Sequence, residues 1–229
     1  MCISDNVSRL REAIDTAARQ SGRLGSDVAL VAATKTQPTE LVQAAIAAGV
    51  DACGENRVQE LLEKSEAGAY VGAPLHFIGH LQKNKIKKVV GTVDLIQSVD
   101  SPALLAAIDG EAARRGIIQD TLIQVNVGND SAKFGIDPYA LDEFLGQVAS
   151  FSHIRVRGLM TMLPFSLPIT ENRRLFAKMY QLFVDIRDNS YDNIGMDFLS
   201  MGMSGDFRAA VSEGANMIRV GSTIFGDRV

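Results

Sequence analysis

Val-Ala-Leu-Val-Ala-Ala-Thr-Lys-Thr-Gln-Pro, residues 28–38, is the segment from which the architecture can be read. Its first six residues are apolar without interruption, which is typical of a strand buried on both faces. The strand ends before Lys35, and Pro38 cannot donate a hydrogen bond to a continuing sheet. Residues 39–48 then show helical spacing of apolar side chains. A strand, a lysine and a helix in this order indicate one unit of an α/β protein.

The same pattern of strand and helix recurs along the rest of the chain. Predicted strands occupy residues 28–33, 50–54, 75–79, 93–99, 121–127, 154–160, 198–201 and 217–220. Predicted helices occupy residues 39–48, 58–66, 85–90, 102–115, 139–151, 171–188 and 204–214, with a brief segment at 223–225. Such a series favours a parallel sheet closed into a (β/α)8 TIM barrel. An open doubly wound sheet is the alternative.

An additional helix is predicted before the first strand, over residues 4–20. Val7, Leu10 and Ile14 fall on one stripe of this helix, and Ser4 or Asp5 can cap its start. Because the segment after the eighth strand is short, we expect the N-terminal helix to cover part of the outer surface of the barrel. We therefore expect one domain that spans residues 1–229.

Composition and charge limit the classes of function. The 229 residues carry a net charge of −4, so bulk electrostatics do not attract nucleic acid. The two cysteines, Cys2 and Cys53, lack the spacing of a metal site, and we expect reduced thiols in a cytosolic protein. No secretory signal is predicted at the N-terminus, and no apolar stretch is long enough to span a bilayer.

Lys35 is the first candidate for covalent chemistry. In a parallel barrel the carboxyl ends of the strands meet at one mouth, where ligands bind. A lysine held there against apolar walls loses hydration, which disfavours its charged form, and the neutral amine can form a Schiff base with an aldehyde. The alternative interpretation is that Lys35 ends the strand and points into water.

Two glycine-containing segments predict a phosphate site. Residues 200–206, SMGMSGD, precede a predicted helix for which Ser204 is a suitable N-cap, so that free N–H groups can bind an anion. In residues 219–222, RVGS, Gly221 allows close backbone approach and Ser222 offers a hydroxyl group. The loops after strands seven and eight are the usual phosphate site of a TIM barrel. Each segment alone is better explained as a tight turn with a capping residue, and the two together favour a phosphate site.

A Schiff-base lysine and a phosphate site in one mouth indicate an aldehyde that carries a phosphate. Pyridoxal 5′-phosphate and a sugar phosphate both fit this description. Arg219 lies just before Gly221 and Ser222, where a pyridine nitrogen would lie, and its permanent charge would disfavour protonation of that nitrogen. A ring held in this way is a poor electron sink. The alternative for Arg219 is a surface ion pair with Asp206 or Glu213.

Eight segments resemble the pyridoxal phosphate homeostasis protein family, which is related to the N-terminal barrel of alanine racemase. They are ATKTQP (33–38), GENRVQE (54–60), HFIGHLQKNK (76–85), QSVDS (97–101), QVNVGNDSAKFGI (124–136), RGLMTM (157–162), LSMGMSGDF (199–207) and IRVGSTIFG (218–226). The resemblance implies a TIM barrel that holds pyridoxal 5′-phosphate as a Schiff base and contains no metal.

The resemblance also implies cofactor-binding roles for nine residues. They are Lys35 as the Schiff base, Ser204, Gly221 and Ser222 at the phosphate, Arg219 at the pyridine nitrogen, Asn56, Ser98 and Met201 around the ring, and Gly205 as a further binding residue. The chain departs from the usual family pattern at Gln37, where lysine or arginine is common, and at Gln97, where histidine is common.

Three functions are compatible with these residues. The resemblance implies a carrier or buffer in intracellular pyridoxal-phosphate and amino-acid homeostasis, with no catalytic residue. We expect it to be a cytoplasmic monomer that supplies pyridoxal-phosphate-dependent apoenzymes and binds neither nucleic acid nor membrane. The second function is an amino-acid racemase of the alanine-racemase type. The third is a Schiff-base aldolase without a cofactor, which predicts a colourless protein.

A racemase needs an acid/base group on each face of the substrate carbon. We expect no second domain to supply one. Tyr70, Tyr139, Tyr180 and Tyr191 are predicted in helices or loops rather than at strand ends, which leaves His80 as a possible second base.

Two further basic features have no assigned role. One is the basic patch, formed by Lys83, Lys85, Lys87 and Lys88, and the other is Lys133 in the loop 128–135. The basic patch could meet a partner or a second phosphate. A solvated helix face is the alternative interpretation.

Overall fold

Eight parallel strands form a closed barrel in chain order, β1 to β8. The structure, a computed structural model, describes residues 2–130, 133–164, 167–188 and 193–226. β1 pairs with β2 on one side and with β8 on the other, so the first and last strands complete the sheet. The predicted (β/α)8 TIM barrel is confirmed, and the open doubly wound sheet is wrong.

Strands and helices alternate around the barrel. The strands are β1 Ala29–Ala33, β2 Ala52–Glu55, β3 Leu75–Phe77, β4 Leu95–Val99, β5 Gln119–Gln124, β6 Ile154–Met160, β7 Ile194–Ser200 and β8 Met217–Val220. The helices are α1 Ile3–Arg19, α2 Thr39–Ala47, α3 Val58–Glu66, α4 Ile86–Val89, α5 Pro102–Arg115, α6 Leu141–Val148, α7 Ile169–Arg187, α8 Phe207–Ser212 and α9 Ser222–Phe225. Short 3-10 turns occupy Gly25–Asp27, Lys83–Lys85 and Pro138–Ala140.

The apolar core has two layers that are built by the same strands. Inside the barrel, Val31 of β1 belongs to a small buried cluster with Leu95 and Met217. Leu30 and Ala32 belong instead to a larger cluster between the strands and the helices. Successive side chains of a strand point to opposite faces. Both faces of β1 are therefore apolar, which explains the uninterrupted run seen in the sequence.

β6 and β8 have the predicted bounds, and the other six strands differ from their predictions by one to four residues at one end or both. β7 begins at Ile194 rather than at residue 198, and its residues before Leu199 are only partly buried or exposed. These residues lack the apolar run that would have predicted a strand. β3 ends at Phe77 rather than at residue 79, and β5 runs over Gln119–Gln124 rather than 121–127.

The N-terminal helix α1 covers the outer surface as predicted. It packs against α2, α8 and α9. Leu10 and Ile14 are buried in this contact. The side chain of Asn6 donates to the carbonyl oxygen of Ile224 in α9 at 2.8 Å, so polar contacts join the same surfaces. α1 therefore shields the part of the barrel that the short C-terminal helices leave open.

Three observations concern the thiols, membrane-spanning helices and metal ligands. Cys2 is exposed, Cys53 is buried, and both are free thiols. Within the four described ranges, no helix has the length and apolar character needed to cross a membrane. No cluster of three or more His, Cys, Asp or Glu side chains suited to a metal ion occurs in the same ranges.

The packing of α1 predicts a stability effect. Ile14→Ala should lower the free energy of unfolding by about 2–5 kcal/mol, because it removes buried methyl groups and leaves a cavity. Glu12→Ala, on the exposed face of the same helix, should change it by less than about 0.5 kcal/mol. Urea denaturation measures both. Equal stabilities of the two variants would contradict the packing role, and deletion of residues 1–20 should lower the melting temperature further.

Candidate functional site

A cavity of about 310 Å³ opens at the carboxyl ends of β1 and β8. Its lining comprises Ala33, Lys35, Thr36, Gln37, Met203, Ser204, Arg219, Gly221, Ser222 and Gly226. The predicted Schiff-base lysine, the two predicted phosphate segments and the predicted ring arginine therefore share one concave site. We call it the mouth cavity.

Lys35 is presented to the mouth cavity by a tight turn. The turn runs from Thr34 to Gln37, and the N–H of Gln37 donates to the carbonyl oxygen of Thr34 at 3.0 Å. Val31 faces the barrel interior, and alternation along β1 gives Ala33, which lines the cavity just before the turn, the same orientation. Lys35 is half-buried and lines the cavity.

The loops after β7 and β8 meet at one side of the mouth cavity. The N–H of Gly221 donates to Ser204 Oγ at 3.3 Å, which joins the two loops. A Cβ at Gly221 would lie 3.3 Å from the carbonyl oxygen of Ala33, so glycine permits the close approach of β8 to β1. α9 begins at Ser222, and the first N–H groups of a helix have no intrahelical acceptor. The arrangement of N–H and hydroxyl donors suits a phosphate group.

One expectation for Ser204 and one alternative interpretation for Arg219 are wrong. Ser204 is not an N-cap, because α8 begins later and Asp206 occupies the N-cap position. The Asp206 carboxylate accepts from the N–H of Met203 at 2.6 Å, and this contact closes the loop around Ser204. Arg219 forms no surface ion pair with Asp206 or Glu213, because its side chain is only 4% exposed and points into the barrel.

Arg219 forms the floor of the mouth cavity. Its guanidinium donates to Ser200 Oγ and, at 2.8 Å, to the carbonyl oxygen of Thr161. Burial lowers the pKa of Arg219 to about 10, while the negative charge of Asp206 acts in the opposite direction. Arg219 is therefore cationic at neutral pH and faces the cavity with a fixed orientation.

A buried hydrogen-bond chain continues from Arg219 across the barrel. Ser200 Oγ donates to Gln97 Oε1 at 2.7 Å, and Gln97 Nε2 lies 3.0 Å from His76 Nδ1. Burial lowers the pKa of His76 to about 4, so its ring is neutral at pH 7 and Nδ1 can accept the amide proton. The chain holds Ser200 in place, and Ser200 in turn orients the guanidinium.

Sequence reasoning missed most of this chain. Gln97 entered only as a departure from the family pattern, and His76 and Ser200 were not singled out. A signal was present, because Gln97 follows Leu95 at an interval of two residues, and Leu95 faces the barrel interior. A polar residue at an inward position of an apolar strand predicts an interior hydrogen bond.

Four predicted residues lie outside the lining of the mouth cavity. Asn56 follows β2 and lines a neighbouring cavity of about 260 Å³. Ser98 in β4 and Met201 after β7 are buried, and Gly205 is exposed beside a cavity of about 250 Å³. Asn56 Oδ1 and Ser98 Oγ are buried and have no hydrogen-bond partner among the described residues. Because buried polar atoms are normally bonded, both oxygens fit a site that a polar ring completes.

His80, the possible second base, is held by other contacts. Its Nδ1 lies 3.0 Å from Asp100 Oδ2, and its ring stacks on Phe134 with centroids 3.7 Å apart. His80 lines the cavity of Asn56 and not the one that contains Lys35. The structure therefore does not bring His80 and Lys35 into one cavity.

The three described tyrosines lie away from the strand ends, as predicted. Tyr70 is buried in the turn after α3, Tyr139 lies in the 3-10 turn Pro138–Ala140, and Tyr180 lies in α7. Tyr191 falls outside the described residues. None of the three described tyrosines lines the mouth cavity.

The basic patch lies on the 3-10 turn Lys83–Lys85 and on α4. Lys85 and Lys88 line the cavity that also contains Asn56. Lys85 is half-buried, and the other three lysines are exposed. Lys133 lies in the loop after β5, where its N–H donates to the carbonyl oxygen of Asp130 at 2.9 Å. The structure thus separates the basic patch and Lys133 from the mouth cavity.

Fold and site together define an alanine-racemase-type barrel. A family model described as "Alanine racemase, N-terminal domain" matches residues 6–229. The alanine racemase of Clostridium difficile 630 superposes with a TM-score of 0.76 at 16% identity, over 98% of this chain and 57% of that chain. At this identity the likeness shows the fold alone.

Closer relatives identify the family within this class. A pyridoxal phosphate homeostasis protein of Aquifex aeolicus is 38% identical over 98% of this chain and 97% of its own length. The structure of PipY from Synechococcus elongatus PCC7942 with PLP bound has a TM-score of 0.85 at 35% identity, over 98% of this chain and 100% of that chain. The chain belongs to the pyridoxal phosphate homeostasis protein family, which confirms the resemblance carried by its motifs.

The buried His76 predicts a pH dependence of stability. Its pKa is about 4 in the folded protein, and the ordinary value is about 6.5. Between these values the unfolded chain binds more protons, so the free energy of unfolding falls as the pH falls through this window. Wild type should lose about 2 kcal/mol more than His76→Gln between about pH 7 and about pH 4.5.

Urea denaturation at the two pH values measures this difference. His153→Gln, at a half-exposed position outside the barrel, should keep the wild-type dependence. Identical pH dependences of wild type and His76→Gln would show that His76 is not held neutral by burial.

Proposed function

We propose that this protein binds pyridoxal 5′-phosphate as a Schiff base on Lys35. It acts as a carrier or buffer of that cofactor in intracellular vitamin B6 and amino-acid homeostasis. The observation that carries the proposal is the mouth cavity, which joins Lys35 to Ser204, Gly221 and Ser222. The name of the relative from Aquifex aeolicus and the PLP bound to PipY support the same ligand.

The residues present fit this cofactor. Ser204, Ser222 and the N–H groups at the start of α9 would hold the phosphate, with Gly221 making room for it and Gly205 beside it. Arg219 would donate to the ring nitrogen from its buried position. The ring would be lined by Asn56, Ser98 and Met201. When bound, the cofactor supplies an aldehyde carbon to which the Lys35 nitrogen can bond with loss of one water molecule.

A carrier fits the charges of the site better than a catalyst does. Arg219 is cationic at neutral pH, so it would donate to the ring nitrogen and disfavour protonation there. A ring without that proton withdraws electrons weakly, which slows amino-acid chemistry. Racemisation also needs a second acid/base group, and His80 is bound to Asp100 in a different cavity. We infer that no residue of this site acts as a catalyst.

The proposal extends to the cellular role. A free aldehyde reacts with amines, so a protein that retains pyridoxal phosphate reversibly keeps the reactive group from other targets. We propose one domain over residues 1–229, acting as a cytoplasmic monomer that supplies pyridoxal-phosphate-dependent apoenzymes. Neither nucleic acid nor membrane is part of this proposal.

The proposal predicts a coloured protein. Addition of pyridoxal phosphate should give a visible absorption band of a protonated Schiff base, and Lys35→Ala should abolish this band because it removes the amine. Lys87→Ala is the matched control, since Lys87 is an exposed lysine of α4. Absorption spectra of the three proteins measure the effect. A wild-type protein that gives no band beyond the absorption of free pyridoxal phosphate would contradict the proposal and favour the cofactor-free aldolase.

The carrier is distinguished from a racemase by one assay. The loaded protein should release no D-isomer when it is incubated with individual L-amino acids, because no second acid/base group among the described residues shares the mouth cavity with Lys35. Chiral chromatography of the amino acids measures the product. Rapid, Lys35-dependent formation of a D-amino acid would show that the protein is a racemase rather than a carrier.

A further inference from the structure

Both peptide groups that flank Lys35 are bound by side chains of α3. The carbonyl oxygen of Thr34 accepts from Lys64 Nζ at 2.7 Å. The N–H of Thr36 donates to Glu60 Oε2 at 2.6 Å. Glu60 and Lys64 lie one helical turn apart and 3.4 Å from each other. One face of one helix therefore holds the turn on both sides of Lys35, and we call this pair the α3 clamp.

The turn needs support because its backbone is strained. Thr36 has φ of 63°, in the left-handed region that β-branched residues rarely adopt. Such a conformation persists only where surrounding contacts hold it. Relaxation of Thr36 to an ordinary φ would rotate the peptide that follows Lys35 and change the direction of the Lys35 side chain. The contact from Glu60 to the N–H of Thr36 opposes this relaxation.

Lys64 is anchored by a buried carboxylate. Its Nζ lies 2.7 Å from Glu55 Oε1, with the Lys64 side chain 11% exposed and Glu55 fully buried. The same oxygen accepts from Thr34 Oγ1 at 2.7 Å and from the Tyr70 hydroxyl at 3.0 Å. Alternation along β1 and β2 places this cluster on the outer face of the barrel. It can act on the mouth cavity only through the backbone of the turn.

We propose that Glu60 and Lys64 are positioning residues that aim the amine of Lys35 into the mouth cavity. The inference rests on the proposed function, in which that amine condenses with the aldehyde of pyridoxal phosphate. In this step the nitrogen bonds to the aldehyde carbon, the C–O bond breaks, and the oxygen leaves as water with the two amine protons. A fixed turn raises the fraction of conformations in which the nitrogen reaches the carbon.

Glu60 is the member of the α3 clamp to change. Substitution of Lys64 would leave the buried charge of Glu55 without its cation and would endanger the fold. Glu60→Ala removes the acceptor for the N–H of Thr36, whereas Glu60→Gln keeps an oxygen at the same distance along the side chain. Glu63→Ala is the matched control on the same helix, where the Glu63 carboxylate accepts from Gln59.

The test is a titration with pyridoxal phosphate followed by visible absorbance. Glu60→Ala should weaken association about tenfold, which corresponds to about 1.4 kcal/mol. The affinities of Glu60→Gln and Glu63→Ala should stay within about twofold of wild type. Glu60→Gln keeps an acceptor for the N–H of Thr36, and Glu63 is not the acceptor of that N–H. Pyridoxal, which has the aldehyde but no phosphate, should show the same ratio of Glu60→Ala to wild type. Ser222→Ala should instead weaken only the phosphorylated form.

The outcomes separate this inference from the proposed function. Equal affinities of Glu60→Ala and wild type overturn the inference, and so does an equal loss in Glu60→Gln. A wild type without a visible band, or an adduct found on another lysine after borohydride reduction and peptide mapping, overturns the proposed function instead. Melting curves of the unliganded variants report folding. Glu60→Met, which keeps the apolar stem without an acceptor, replaces Glu60→Ala in the comparison if the latter is unfolded.

Discussion

The pairing of β1 with β8 is the constraint on which the site depends. Ala29 pairs with Met217 and Ala32 with Val220, so the strand ends that carry Lys35 and Gly221 emerge side by side. The approach is close enough that a side chain at Gly221 would press on the backbone of β1. Closure of the barrel thus brings a lysine from the first unit and a phosphate-type cradle from the last unit into one cavity.

The two faces of the barrel wall act on this cavity in different ways. On the inner face, Arg219 is fixed by a hydrogen-bond chain that ends at a neutral histidine. On the outer face, a buried carboxylate and its lysine hold the turn that carries Lys35. In a packed interior an unpaired polar group is costly, so both networks are rigid. A rigid amine and a rigid guanidinium suit a protein that holds one cofactor in one orientation.

Under the proposed function, the same rigidity favours retention of the cofactor over turnover. The cation of Arg219 is fixed in the floor of the mouth cavity by its hydrogen bond to the carbonyl oxygen of Thr161. The other candidate acid/base group, His80, is engaged in a separate cavity. The alanine-racemase-type barrel is therefore present with a lysine and a cradle, while the paired acid/base geometry that racemisation requires is not assembled among the described residues.

The local sequence pattern was sufficient to predict the order of the elements and the barrel. It also predicted the lysine at the end of β1 and the two segments around Ser204 and Gly221. Each of these depends on apolar periodicity or on residue types at the end of a strand, which are properties of neighbouring residues. The contacts of Arg219 with Ser200 and of Glu60 with Thr36 could not be predicted in this way. They join residues that are distant in sequence, and their partners are set by strand register and helix packing. The sequence was enough to predict which residues could form the site. The direction in which each side chain points is decided by closure of the barrel, so it could be seen only in the tertiary structure.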